Sequence, residues 1–120
     1  MRDGAKTLVK WLTNNVMPTY QEPVSSQAKL PYASFSYVES EMAVDSIISV
    51  SIWTRSTSYS SAYDYADKLD KLLGVGDDGI IIKGGDSYYN IRRGNPFVQN
   101  KTDEDDTIRA VLANLIIKKF

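Results

Sequence analysis

The sequence predicts a single small α+β domain, an α/β fold in the broad sense, with a mostly antiparallel sheet of about four to five strands packed by two helices. Three observations point there. Residues 5–16 and 62–73 repeat apolar side chains at helical spacing, while residues 32–39 and 44–54 alternate apolar with polar. The 120 residues, 42% of them hydrophobic, supply one core and leave little room for a second.

The first helix begins at Asp3, whose carboxylate can cap free N–H groups, and its stripe is Ala5, Leu8, Trp11 or Leu12, and Asn15 or Val16. Asn14, Asn15 and Pro18 end it. PTYQEPVSSQAKLP, Pro18 to Pro31, holds three prolines and two serines, so an extended loop is expected, with at most a short strand around Tyr20. Loops of that length in small domains are often functional.

In YASFSYVE, residues 32–39, Ala33, Phe35 and Tyr37 face one way and Ser34 and Ser36 the other, as in a half-buried strand. A turn near Glu41 and Met42 leads into VDSIISVSIWT, where Ile48, Val50 and Ile52 oppose Ser49, Ser51 and Trp53. The two segments pair as a hairpin. Beyond them, Ser56, Thr57 and Ser58 can each cap a helix, and Ala62, Tyr65, Ala66, Leu69, Leu72 and Leu73 form one stripe. A flexible linker would not carry a core-facing stripe so close to its serines. Gly74 and Gly76 supply the left-handed conformations that end the helix.

GIIIKGGDSYYNIRR reads as a second hairpin: Ile80 to Lys83, a Gly84-Gly85-Asp86 turn, then Tyr88 to Arg92. After Gly94-Asn95-Pro96, the polar stretch through Asp106 reads as loop. The last segment, Thr107 to Phe120, carries two patterns. Ile108, Val111, Leu112, Leu115 and Ile116 have helical spacing, which slightly favours helix, whereas NLIIKKF is rich in strand formers.

There is no cysteine and no histidine, so disulfides, thiolate metal sites, thiol nucleophiles and imidazole proton shuttles are excluded. Neither catalytic residues nor a cofactor are expected. The net charge of −1 indicates neither a strongly basic nucleic-acid binder nor an acidic tail. MRDGAKTLVKWL lacks the apolar core of a signal peptide and no run is long enough to span a bilayer, so the chain is expected to be soluble, made in the cytoplasm and not bound to a membrane.

Several constellations have a bland reading that outweighs the chemical one. DEDD, Asp103 to Asp106, could hold a hard cation with Asp77 and Asp78, but it lacks the spaced acids and central glycine of a calcium loop and reads as hydrated charge. In KGGDS the lysine precedes the glycines, with strands on both sides, so the motif is a hairpin turn rather than a phosphate cradle. Tyr63, Asp64, Tyr65 and Lys68 occupy one helical turn, where surface pairing at i to i+4 is a simpler account than acid–base work. Tyr88 and Tyr89 beside Arg92 and Arg93, with Tyr32, Phe35 and Tyr37, could stack single-stranded nucleic acid, though the near-neutral charge gives little footing. Trp53 lies on the face opposite Ile48, Val50 and Ile52. Either a helix covers it or another subunit can bury it.

The order of elements, with LPYASFSY opening a strand, SIISVSIWTR as the next, SSAYDYADKLDKLL as the following helix and TIRAVLANLIIKKF closing the chain, resembles the tail terminator, or tail-to-head joining, proteins of long-tailed bacteriophages. The resemblance spans nearly the whole chain and shifts the last segment toward strand. It implies a small domain whose copies form a ring, in many relatives a hexamer, that caps the tail tube and then meets the head connector. The implied partners are the chain itself, the tail tube protein and the head completion or connector protein; the implied location is the virion; no catalytic residue carries over. Another head–tail connector or minor capsid component is the alternative, and a nucleic-acid module a more distant one. A closed ring needs two different patches that meet. An exposed strand edge and the anchors Trp53, Tyr88, Arg92, Arg93 and Phe97 are the candidates, with Gln21 to Leu30 and Asn95 to Asp106 as loops that order on binding.

Overall fold

A computed structural model describes residues 3–38, 40–103 and 105–120. The cap expected from the Asp3 side chain, the Glu39 end of the first alternating segment and the Glu104 part of DEDD lie outside the described residues. The chain runs α1 (Asp3–Asn15), β1 (Thr19–Gln21), β2 (Tyr32–Phe35), β3 (Asp45–Arg55), α2 (Ser60–Leu72), β4 (Ile80–Gly84), β5 (Ser87–Lys101) and β6 (Ile108–Lys119). Among the described residues, six strands form one curled sheet in the order β1-β2-β3-β6-β5-β4, and only β1 and β2 run parallel. The fold is the α+β domain expected, with slightly more strands than anticipated.

Both helices lie on one face of this sheet. α2 packs against its middle, β3 and β6, while α1 touches β1 and β4, the two edge strands, so the sheet curls around α1. The alternation in sequence determines which side chains meet them. Phe35, Ile48, Val50, Ile52, Val111, Ala113, Leu115 and Ile117 point inward against Leu8, Leu12 and Val16 of the α1 segment and Ala62, Ala66, Leu69 and Leu73 of the α2 segment. Each fully buried Leu, Ile or Phe contributes about 1.5–3 kcal/mol relative to exposure, so this layer holds the fold together.

β6 settles the ambiguity of the last segment. It is the central strand, paired with β3 from Ile108 to Lys118 on one side and with β5 on the other. A helix there would have left the backbone of β3 and β5 unpaired, and local spacing carries no information about that.

Two expectations are corrected. Asn95 to Lys101 is strand rather than loop: β5 continues past Gly94-Asn95-Pro96 through an irregularity in which it advances from Arg93 to Val98 while β6 moves only from Leu115 to Ala113. Pro96 has no N–H to give a ladder, so it sits in the bulged stretch, where its carbonyl accepts from Asn114 Nδ2 at 2.9 Å. Gly94 passes so close to Asn114 that an added Cβ would lie 2.9 Å from the Asn114 Cβ. The serines before α2 do not cap it either. The N-cap position is Tyr59, in helical conformation and without a side-chain bond; Ser56 Oγ instead accepts from Ser58 N and closes a local turn.

Candidate interaction surface

Among the described residues, the other face of the sheet carries no helix. Cross-strand register places Lys101, Ala110, Trp53 and Tyr32 in one row, then Gln99, Leu112, Ser51 and Ser34, then Asn114 and Ser49. Further along come Arg92, Ile116 and Ile47, and finally Ile81, Asn90, Lys118 and Asp45. One end is aromatic and polar; the other is aliphatic and charged.

At the aromatic end Trp53 is half-buried, without a helix above it. Lys101 Nζ stands 4.6 Å from its ring centroid and also donates to Ser51 Oγ, so part of the indole is covered by an ammonium group from the same chain. Trp53 Nε1 donates to Ser34 Oγ at 3.1 Å, and the Ser34 and Ser36 hydroxyls donate to the two carboxylate oxygens of Glu22, each at 3.0 Å. That chain of bonds fastens the beginning of the loop 22–31 against β2, so this segment is better tied than its composition predicts. Open clefts of about 610 Å³ and 460 Å³ flank the indole, the larger bounded by Leu30, Tyr32, Arg55 and Ile108.

At the aliphatic end Tyr88 is 49% exposed, near Ile81 at 64%, with Ile47 at 69% on the same face. Arg92 bonds Asp45 across β6, and Lys118 Nζ lies 3.8 Å from the same carboxylate. Arg92 is therefore held by its own chain and reaches the surface as part of an ion-pair cluster.

Arg93 is placed differently. Its guanidinium donates to Asp70 Oδ1 and to the carbonyls of Asp70, Gly74 and Gly76, which closes the C-terminal end of α2. Carbonyls that a helix end leaves without partners, at the negative end of its dipole, are what a guanidinium satisfies best. Phe97 is half-buried in the bulged part of β5, its ring 5.8 Å from the Arg93 guanidinium carbon. The candidates thus divide: Trp53, Tyr88 and Arg92 share the helix-free face, whereas Arg93 and Phe97 pack toward the end of α2.

The sequence reading did not single out Ile47, the one large aliphatic on the polar side of β3, nor Val38, Met42 and Val44, which are 57%, 63% and 49% exposed in the loop between β2 and β3. The signal for Ile47 was present in the alternation itself. For the loop, the signal is three apolar residues within a polar turn.

The acidic run is bound up with its own backbone. Asp103 Oδ1 accepts from Asp105 N, and Asp105 Oδ1 from the N–H and hydroxyl of Thr107. The Thr107 hydroxyl and N–H, with smaller contributions from Arg55 and Arg109, hold the Asp105 carboxyl below its ordinary pKa. Among the described residues no group of three or more His, Cys, Asp or Glu side chains is placed to hold a metal ion. No helix among them is long and apolar enough to cross a membrane. Lys68 does not pair with Asp64 as helical spacing predicts; it reaches the Val16 carbonyl at 3.3 Å, and Tyr63 donates to Asn100 Oδ1. Compared with protein-family models, curated proteins and solved structures, the chain matches none.

Proposed function

We propose that this chain is a structural virion assembly protein, which caps the tail tube of a long-tailed bacteriophage as a homo-oligomeric ring, hexameric as in many members of the family it resembles, and joins it to the head connector. Its work is contact rather than catalysis. One observation carries the reading: a sheet with both helices on one side leaves a face bearing exposed Ile47, Ile81 and Tyr88 toward one end and half-buried Trp53 at the other. Large apolar side chains exposed on an uncovered sheet face are the usual mark of a surface that another protein covers. Among the described residues, the edge strands β1 and β4 each have only one neighbouring strand, and an edge offers main-chain hydrogen bonds to another copy.

The partners in this reading are further copies of the chain, the tail tube protein and the head completion protein, and its place is the head–tail junction of the virion. Electron microscopy of the purified protein tests it directly: closed rings of uniform size are expected, with tails of uncontrolled length, or tails unable to join heads, when the gene is removed. Separate monomers, and unchanged virions without the gene, would refute it.

A further inference from the structure

Resting on the ring reading, we infer which two patches meet in it: the loop between β2 and β3 of one copy seats in the groove between α1 and the β4 edge of the next. The groove has a volume of about 360 Å³ and is lined by Lys6, Lys10 and Trp11 of α1 and by Ile82 and Lys83 of β4. Trp11 and Ile82 are half-buried and form an apolar floor packed on the core. Neither Lys6 nor Lys10 forms an ion pair with a described residue, whereas the Lys83 ammonium lies on the other face of β4, 5.8 Å from the Tyr88 ring centroid. The edge itself is open. Gly84 and Ser87 flank the two-residue turn and bond each other, so by alternation Ile81 and Lys83 direct their N–H and C=O groups away from β5.

The loop has the complementary chemistry. Val38, Met42 and Val44 are 57%, 63% and 49% exposed, and Glu41 is exposed beside them with no ion pair among the described residues. Its backbone is held in a demanding shape. Val44 N donates to Glu41 O, which puts Ala43 at the third position of the turn with φ of 65°, where glycine is the ordinary choice. Ala43 N bonds the Lys119 carbonyl, so the turn is tied to the end of β6 while Met42 and Val44 are turned to solvent. Strain of that kind persists where the surroundings enforce it, and it is commonest at functional contacts.

A second copy of this chain is the occupant because both halves of the match are present in one molecule and at different places: the loop enters β3, which β6 and β5 separate from β4. Loop on groove is therefore a heterologous contact, and repeated head to tail it closes into a ring if the rotation permits. Val38, Met42 and Val44 would cover Trp11 and Ile82, and Glu41 would face Lys6 and Lys10.

The chain has no cysteine, so introduced thiols give a clean test. Lys10→Cys and Met42→Cys proteins carrying different tags are mixed and oxidised under assembly conditions. Disulfide-linked heterodimers predominating over both homodimers are expected. In the otherwise unaltered chain, Lys10→Glu and Glu41→Lys should each weaken association about two- to five-fold per interface, and together restore it. Circular dichroism melts matching the parent show that each variant folds. Rings from the parent chain without preferential heterodimers or any charge effect would overturn this contact and leave the ring reading standing. A parent chain that never associates would overturn both.

Discussion

Ile47 and Ile48 are neighbours in β3, yet Ile47 is 69% exposed and Ile48 is 1% exposed. The pleat sends them to opposite faces of the sheet, one bare and one in the core beneath the helices. The same chemistry therefore has two consequences. On the helix side an isoleucine stabilises the fold; on the bare side it contributes little to folding and is available for association. Stability and contact are interleaved residue by residue along the same strands, and substitutions should separate them.

The largest separation lies in the core. Phe35→Ala, with Phe35 fully buried, should cost about 3–5 kcal/mol in urea unfolding, and Ile48→Ala about 2–5 kcal/mol, whereas Ile47→Ala should stay within about 0.5 kcal/mol. Equal losses at Ile47 and Ile48 would break the distinction between the faces. Next comes Arg93, whose loss removes the guanidinium that ties the Asp70, Gly74 and Gly76 carbonyls after α2: Arg93→Ala should destabilise by about 1–2 kcal/mol, with amide exchange rising first at Leu69 to Leu73. An unaltered exchange pattern there would return Arg93 to the pool of free surface anchors.

Ala43→Gly relieves the left-handed backbone and should raise stability by about 0.5–1 kcal/mol, read as a higher thermal midpoint, while loosening the loop that displays Met42 and Val44. The smallest effect is electrostatic. Asp105 has a folded-state pKa below its ordinary value of 3.8, so the stabilisation it brings is present above that pH and is lost as pH falls through the depressed value. Thr107→Val removes the hydroxyl that contributes most, and the carboxyl should titrate at higher pH in an NMR titration, with stability at neutral pH almost unchanged.

Much of the fold was legible in the chain. The Ala33 and Phe35 alternation, the stripe of Ala62, Ala66, Leu69 and Leu73 and the Gly85-Asp86 turn reflect local periodicity and local turn chemistry, which sequence records directly. What was not legible depends on distant partners. Pro96 reads as a strand breaker until Asn114 and the bulge accommodate it, and Thr107 to Phe120 spaces its apolar residues for a helix until two neighbouring strands claim its backbone. The candidate surface was legible in part. Trp53 stood out by its alternation, but that Lys101 covers its ring and that Arg93 closes a helix end depend on contacts 48 and 17 to 23 residues away in sequence. No local pattern encodes such contacts.

Sedimentation velocity on the unaltered protein, over a wide range of concentration, addresses the central claim most directly. If the helix-free face and the open edges exist for self-assembly, one discrete larger species of closed-ring size should grow at the expense of the single chain. A lone species with the mass of one chain at every concentration would contradict it.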